Sequence, residues 1–195
     1  AKNVQRAFLG AMETQMQIGC YPSETDSPAD LTERERTELQ TAYTSLVEQY
    51  YTEENPCRKR YIALNEDFLT ACDSDVEYSE SGGVADCRFD SVRLYADRMT
   101  AVVQAQTVVW DKRISGNPEQ GFSVELPVNR DTITATMKKE NGVWKLDSID
   151  SQISLSAAVS ADDEVCRERY PTFETARQAA DSIDDQAYIK EARFA

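Results

Sequence analysis

Apolar side chains recur every four residues at the start of the chain. Val4, Phe8, Met12 and Met16, with Ala7 and Ala11 beside them, make one stripe on a helix over residues 2–18. Turn-forming residues follow from Tyr21 to Pro28. A capping box, either Thr32 to Glu35 or Asp30 to Glu33, then predicts a second helix whose buried face is Leu39, Tyr43, Leu46, Val47, Tyr50 and Tyr51. Pro56 disfavours a helical Asn55 and ends that helix. A shorter helical stretch carries Tyr61, Leu64, Phe68 and Leu69 and stops near Cys72.

From about residue 84 the period changes to two. Val92, Leu94 and Ala96 share a face and, after a turn near Asp97 and Arg98, so do Met99, Ala101, Val103, Ala105 and Val109. Arg93, Thr100, Gln104 and Gln106 occupy the opposite, polar face, and Ser115 to Pro118 reads as a loop. The next strand places apolar residues on even positions (Phe122, Val124, Leu126, Val128) and then on odd ones (Ile133, Ala135, Met137). That switch predicts an extra residue, a bulge, between Pro127 and Asp131. Asn141-Gly142 is a type I′ hairpin signal, and pairing outward from it sets Met137 opposite Leu146 and Trp144 on the same face. After Ile153 the alternation fades into small and acidic residues. Thr172 caps a final helix with Phe173, Ala176, Ala180, Ile183 and Ala187 inward. The predicted organisation is an N-terminal helix and connector (1–30), a main domain (31–152) and an acidic tail with a C-terminal helix (153–195).

Helices followed by long antiparallel strands predict an α+β layer in which a curved sheet wraps a long helix. Tyr43 to Tyr51, the hairpin from Val92 to Val103 and the closing hairpin from Lys138 to Ile149 together resemble the NTF2-like superfamily of cystatin-like α+β cones, in its secreted bacterial form of unknown function. The resemblance covers about residues 31–152; the flanking helices are additions. It implies a hollow between helix and sheet, which in some relatives binds a small molecule and here would be lined by Tyr43, Tyr50, Phe68, Met137 and Trp144. A filled core is the competing expectation for the same residues. It also implies a docking surface on the outer sheet face, with Arg93, Gln104, Gln106 and Trp110, for a protein partner or a second copy.

Composition narrows the chemistry. A net charge of −14 over 195 residues repels phosphate backbones and anionic lipid, so no nucleic acid is expected. Mean hydropathy of −0.58 leaves no transmembrane segment. The absence of histidine removes Ser-His-Asp and Cys-His nucleophile pairs and every His-ligated metal site. Asp73-Ser74-Asp75-Val76-Glu77 spaces carboxylates as a calcium loop does. Tyr78 and Val84 stand where an EF-hand needs Gly and Glu, so it reads as a solvated turn. Cys20, Cys57, Cys72, Cys87 and Cys166 form no C-x-x-C pair, so no metal site is expected; their polar contexts predict an oxidising compartment and at least one disulfide, with Cys72 and Cys87 the first candidates. The chain starts at Ala1 and not at Met, as a processed mature chain or a trimmed one would, and any export signal is expected to have gone already. No catalytic residue and no cofactor are predicted. The resulting expectation is a non-catalytic, extracytoplasmic (secreted or cell-surface) binding or assembly module. The alternative is an isomerase-like enzyme using a carboxylate and a tyrosine in the cone, against which stands a predicted inner face without Asp or Glu.

Overall fold

The structure, a computed structural model, describes residues 1–21, 28–70, 76–158 and 160–194. The connector residues 22–27 and the acidic stretch 73–75 lie outside them. Three helices come first: α1 (Lys2–Met16), α2 (Glu33–Tyr50) and α3 (Pro56–Thr70). Of the two expected caps for α2, the box at Thr32 forms. The Thr32 hydroxyl accepts from the Glu35 amide at 3.1 Å and the Glu35 carboxylate accepts from the Thr32 amide at 2.7 Å. Pro56 occupies the first helical position of α3, where its missing N–H costs nothing.

Five antiparallel strands follow: β1 (Val76–Leu94), β2 (Thr100–Asn117), β3 (Gly121–Glu125), β4 (Val128–Glu140) and β5 (Val143–Ala158). They form one sheet in the order β1-β2-β4-β5, with β3 paired to β2 in line with β4, so the fold is α+β as expected. Asn141 and Gly142 turn β4 into β5 with φ of 53° and 80°, and Met137 lies opposite Leu146. β1 starts earlier than its alternation predicts, because Gly82 and Gly83 look like loop residues. A Cβ at Gly82 would sit 2.5 Å from the Met16 carbonyl, so the glycine lets the end of α1 pass against the strand.

The parity switch near Pro127 has a different cause from the one its sequence suggests. β2 keeps one register with β3 and β4, from Asn117↔Gly121 through Thr100↔Lys138, so no extra residue enters that pairing. The covered face changes instead. Ala101, Val103, Ala105, Ile133, Ala135 and Met137 are buried on the inner face with α1 and α2. Val108, Ile114, Val124, Leu126 and Val128 are buried on the outer face with the C-terminal helices. The extra residues sit in the flanking strands, Glu80, Ala85 and Asp90 in β1 and Asp147, Asp150 and Ala157 in β5, none of which has a partner in the register. Bulges confined to the outer strands lengthen them relative to the middle and curl the sheet around α1.

The N-terminal helix is part of the inner core. Val4, Phe8, Ala11 and Met12 are buried, the Tyr51 hydroxyl donates to the Ala11 carbonyl at 2.7 Å, and Tyr43 donates to Thr14 at 3.1 Å. At the other end a short helix α4 (Glu164–Arg167) comes first, and the expected single helix after Thr172 divides into α5 (Phe173–Asp181) and α6 (Asp185–Ala192). Thr172 caps α5, and Asp184 starts a new helix by accepting from the Ala187 amide. The break changes the helical phase: Ala187, expected inside, faces solvent, while Ile189 and Ala192 turn inward. No helix of the described residues is long and apolar enough to cross a membrane.

Candidate binding interface

The residues expected to line the cone all lie in or against the inner core. Tyr43 and Met137 are buried in the inner core, and burial pushes the Tyr43 and Tyr51 phenols well above their usual range. The Phe68 ring covers Gly19, where a Cβ would come within 2.4 Å of it, and the Tyr50 ring covers Gly10, where a Cβ would come within 2.1 Å. Tyr50 and Trp144 meet instead at a cleft of about 410 Å³ between the start of α1, the end of α2 and the β4–β5 turn, with Arg6 and Lys139 on its rim. The Lys139 ammonium lies 5.6 Å from the centre of the Trp144 ring, a cation–π contact.

The inner face does carry a carboxylate, contrary to the expectation from sequence. Asp131 is 5% exposed and lies opposite Thr107, which is fully buried. Its Oδ2 accepts from Gln152 at 3.3 Å, while its Oδ1 and the Thr107 hydroxyl have no hydrogen-bond partner among the described residues. The signal was the odd position that Asp131 shares with Ile133, which assigning a bulge to Pro127–Asp131 concealed.

On the outer face, the polar candidates are tied across strands. Gln104 accepts from the Ser91 hydroxyl at 2.9 Å, Gln106 donates to Asp90 at 3.2 Å, and the Arg93 guanidinium lies 5.7 Å from the Tyr95 ring. Trp110 is drawn away from this surface and packs, half-buried, on the outer core. That core is fastened to the sheet by charge. Lys112 lies 3.8 Å from both Glu80 and Asp185, and Arg177 lies 3.8 Å from Glu80. Burial, then the hydrogen bond and charge of Asp181, push the Glu80 carboxyl up to about 7, with Lys112 and Arg177 opposing them. The C-terminal helices therefore cover one half of the outer face and leave the other open. In the open half Ile153 lies opposite Thr132; at its border Leu155 lies opposite Arg130, whose guanidinium donates to the Ala192 and Arg193 carbonyls at the end of α6. Ile153 and Leu155 are 59% and 66% exposed, a pairing that the fading alternation after Ile153 hid.

β5 is also an edge strand. Its first half is covered: Thr52 and the Asn55 side chain both donate to the Leu146 carbonyl at 3.0 Å, and the Thr52 hydroxyl donates to Asp147 at 2.8 Å. Among the described residues no backbone group pairs with the outer side of residues 150–156. An edge of this kind presents free N–H and C=O groups to any extended chain that approaches it.

No two of Cys20, Cys57, Cys87 and Cys166 are bridged to each other, and burial pushes the thiols of Cys20 and Cys87 up to about 11. Cys72 is outside the described residues, so the expected Cys72–Cys87 pairing falls outside them too. No group of three or more Cys, Asp or Glu side chains among the described residues is arranged to hold a metal ion.

No protein-family model matches the chain, and no curated protein matches it. Among solved structures, the crystal structure of the intermembrane space region of chloroplast protein ARC6 is similar at a TM-score of 0.45 and 11% identity, over 80% of this chain and 96% of that one.

Proposed function

We propose that this chain is a non-catalytic, extracytoplasmic binding or assembly module of NTF2-like type, which holds a protein partner on the open half of its outer sheet face and along the β5 edge. The observation that carries this reading is the pair Ile153 and Leu155, exposed on an edge whose backbone is unpaired among the described residues. Natural sheets blunt such edges unless something covers them. The inner core supports it further, since Tyr43 and Tyr51 already give their hydroxyl protons to backbone carbonyls. A photo-crosslinking residue placed at Thr132, beside Ile153, should give a protein adduct in the native cell, and the same residue at exposed Glu54 should not. Equal labelling at both positions, or none, counts against the reading. The extracytoplasmic assignment rests on the sequence contexts of the cysteines. Mass spectrometry of protein from its native compartment should find a bridge between Cys72 and Cys87, and five free thiols would remove that part.

One observation favours a second reading, small-molecule chemistry in the cone: buried Asp131 beside Thr107, each with an unpartnered oxygen. Neither residue lines the cleft at Tyr50 and Trp144. A substrate-sized density against Asp131 in a crystal would promote this reading, and one ordered water satisfying both oxygens would dismiss it.

A further inference from the structure

We infer that the occupant of the β5 edge is a second copy of this chain, paired antiparallel about a two-fold axis at Ser154. The inference rests on the assembly reading above and identifies the partner that reading leaves open. Charge decides between a second copy and a foreign peptide. The chain carries a net charge of −14, so most of its surface repels another copy and attracts a cationic segment. The exposed edge is different: from Ser151 to Ala158 it has no charged residue and no proline. A basic peptide finds no carboxylate there to hold it, while two copies meet there without like charges in contact.

The stretch is also self-complementary. With Ser154 on the axis, Ile153 falls opposite Leu155 of the second copy, Leu155 opposite its Ile153, and Gln152 opposite its Ser156. Residues directly opposite each other share a face. Ile153 lies on the outer face because its β4 neighbour Thr132 does, so the two copies join their exposed Ile and Leu into one apolar strip across a continuous sheet. The unpaired Ala157 limits the pairing to about Gln152–Ser156. Asp150, the nearest carboxylate along the strand, then lies about 27 Å from its counterpart at roughly 3.4 Å per residue, well beyond the screening length of about 8 Å at physiological salt. This is an isologous contact, and it closes as a dimer.

Light scattering and sedimentation on the whole chain test the inference. Dimer formation should strengthen as salt is raised, because screening weakens the long-range repulsion and leaves the backbone and apolar contacts in place. Ile153→Lys combined with Leu155→Lys should raise the dissociation constant at least about tenfold and leave the melting temperature unchanged at concentrations where both proteins are monomeric, since both side chains are exposed in the single chain. Ser154→Cys should give a cross-linked dimer on mild oxidation above the background of the native thiols, because directly opposed residues stand about 4.5–5.5 Å apart, within reach of a disulfide. Gln104→Cys, on the open face but off the edge, should not. A monomer at high concentration and high salt overturns the inference, as does cross-linking at Gln104→Cys in place of Ser154→Cys. A monomer that still gives a Thr132 adduct with a different protein overturns the self-pairing and leaves the assembly reading standing. Absence of both the dimer and any adduct removes the two together.

Discussion

The two edges of the sheet are treated in opposite ways. Along β1, the Cys20 segment pairs with Ser79, the Glu13 carboxylate accepts from the Val84 amide at 2.9 Å, and the Asp86 carboxylate accepts from the Phe194 amide at 2.9 Å. Asp86, Arg88, Asp90 and Arg93 add charges along the same strand. Along β5 the link between α2 and α3 covers Leu146 and Asp147, and from Asp150 to Ser156 no backbone group among the described residues pairs with the edge. One edge is thus closed by side-chain carboxylates and by both ends of the described chain, while the other ends in alternating Ser, Ile and Leu. This contrast between the two edges is what the proposed assembly role rests on.

The largest expected effect comes from removing the element that closes β1. Phe8 is fully buried between α1 and the sheet and meets Phe89 of β1 edge to face at 5.8 Å. Phe8→Ala should cost about 3–5 kcal/mol in denaturant melts and speed amide exchange at Val84 more than at Ile153, which is already open. Equal acceleration at both edges would mean that α1 does not guard β1. Asn55→Ala addresses the covered half of β5. The Asn55 amide donates to Leu146 and its oxygen accepts from the Cys57 amide, both with little solvent access. Its loss should cost about 1–3 kcal/mol and extend fast exchange from Ser151 back toward Leu146.

A smaller effect is expected from pH, through the C-terminal helices that also reach β1 by way of Phe194 and Asp86. Glu80 faces Asp181 and Arg177 of α5 and Lys112 of β2, with Tyr78 on its own strand and Asp185 of α6 sharing Lys112. Its pKa is raised from 4.5 to about 7, so the folded state holds the proton more tightly than the unfolded chain does. That contribution is complete below the unfolded value and is lost as pH rises through about 7. The melting temperature of the native chain should therefore fall between about pH 5 and about pH 8 by more than that of Glu80→Gln, which has no proton to lose. Parallel curves for the two proteins would show that this carboxyl does not fasten the C-terminal layer.

Much of this architecture was legible in the sequence, for physical reasons that also explain the rest. Thr32 with Glu35, Thr172 and Asn141-Gly142 are local signals, each satisfied by backbone groups a few residues away, and each forms where expected. The parity switch at Pro127 was visible but ambiguous, because periodicity reports that a face is covered and not which layer covers it. Only the arrival of α5 and α6 on the other side shows that the strand stays in register while the core changes sides. Asp131 was lost to the same ambiguity. The candidate interface was half legible: Gln104 and Gln106 face outward as expected. Trp110 was taken into a core that depends on helices fifty or more residues away.

The smallest expected effect separates the bare edge from the core most directly. Leu126, in the link between β3 and β4, and Leu155, on β5, are the same residue type, 1% and 66% exposed. Truncating a buried leucine removes its transfer free energy and leaves a cavity, so Leu126→Ala should cost about 2–5 kcal/mol. Leu155 has most of its surface in water already, so Leu155→Thr in dilute protein should change stability by less than about 0.5 kcal/mol. Threonine is β-branched and suits a strand, so the change does not weaken β propensity. A loss above about 1 kcal/mol at Leu155 under conditions where the chain is monomeric would mean that the single chain already covers this edge, and the contrast between β1 and β5 would fail at its simplest point.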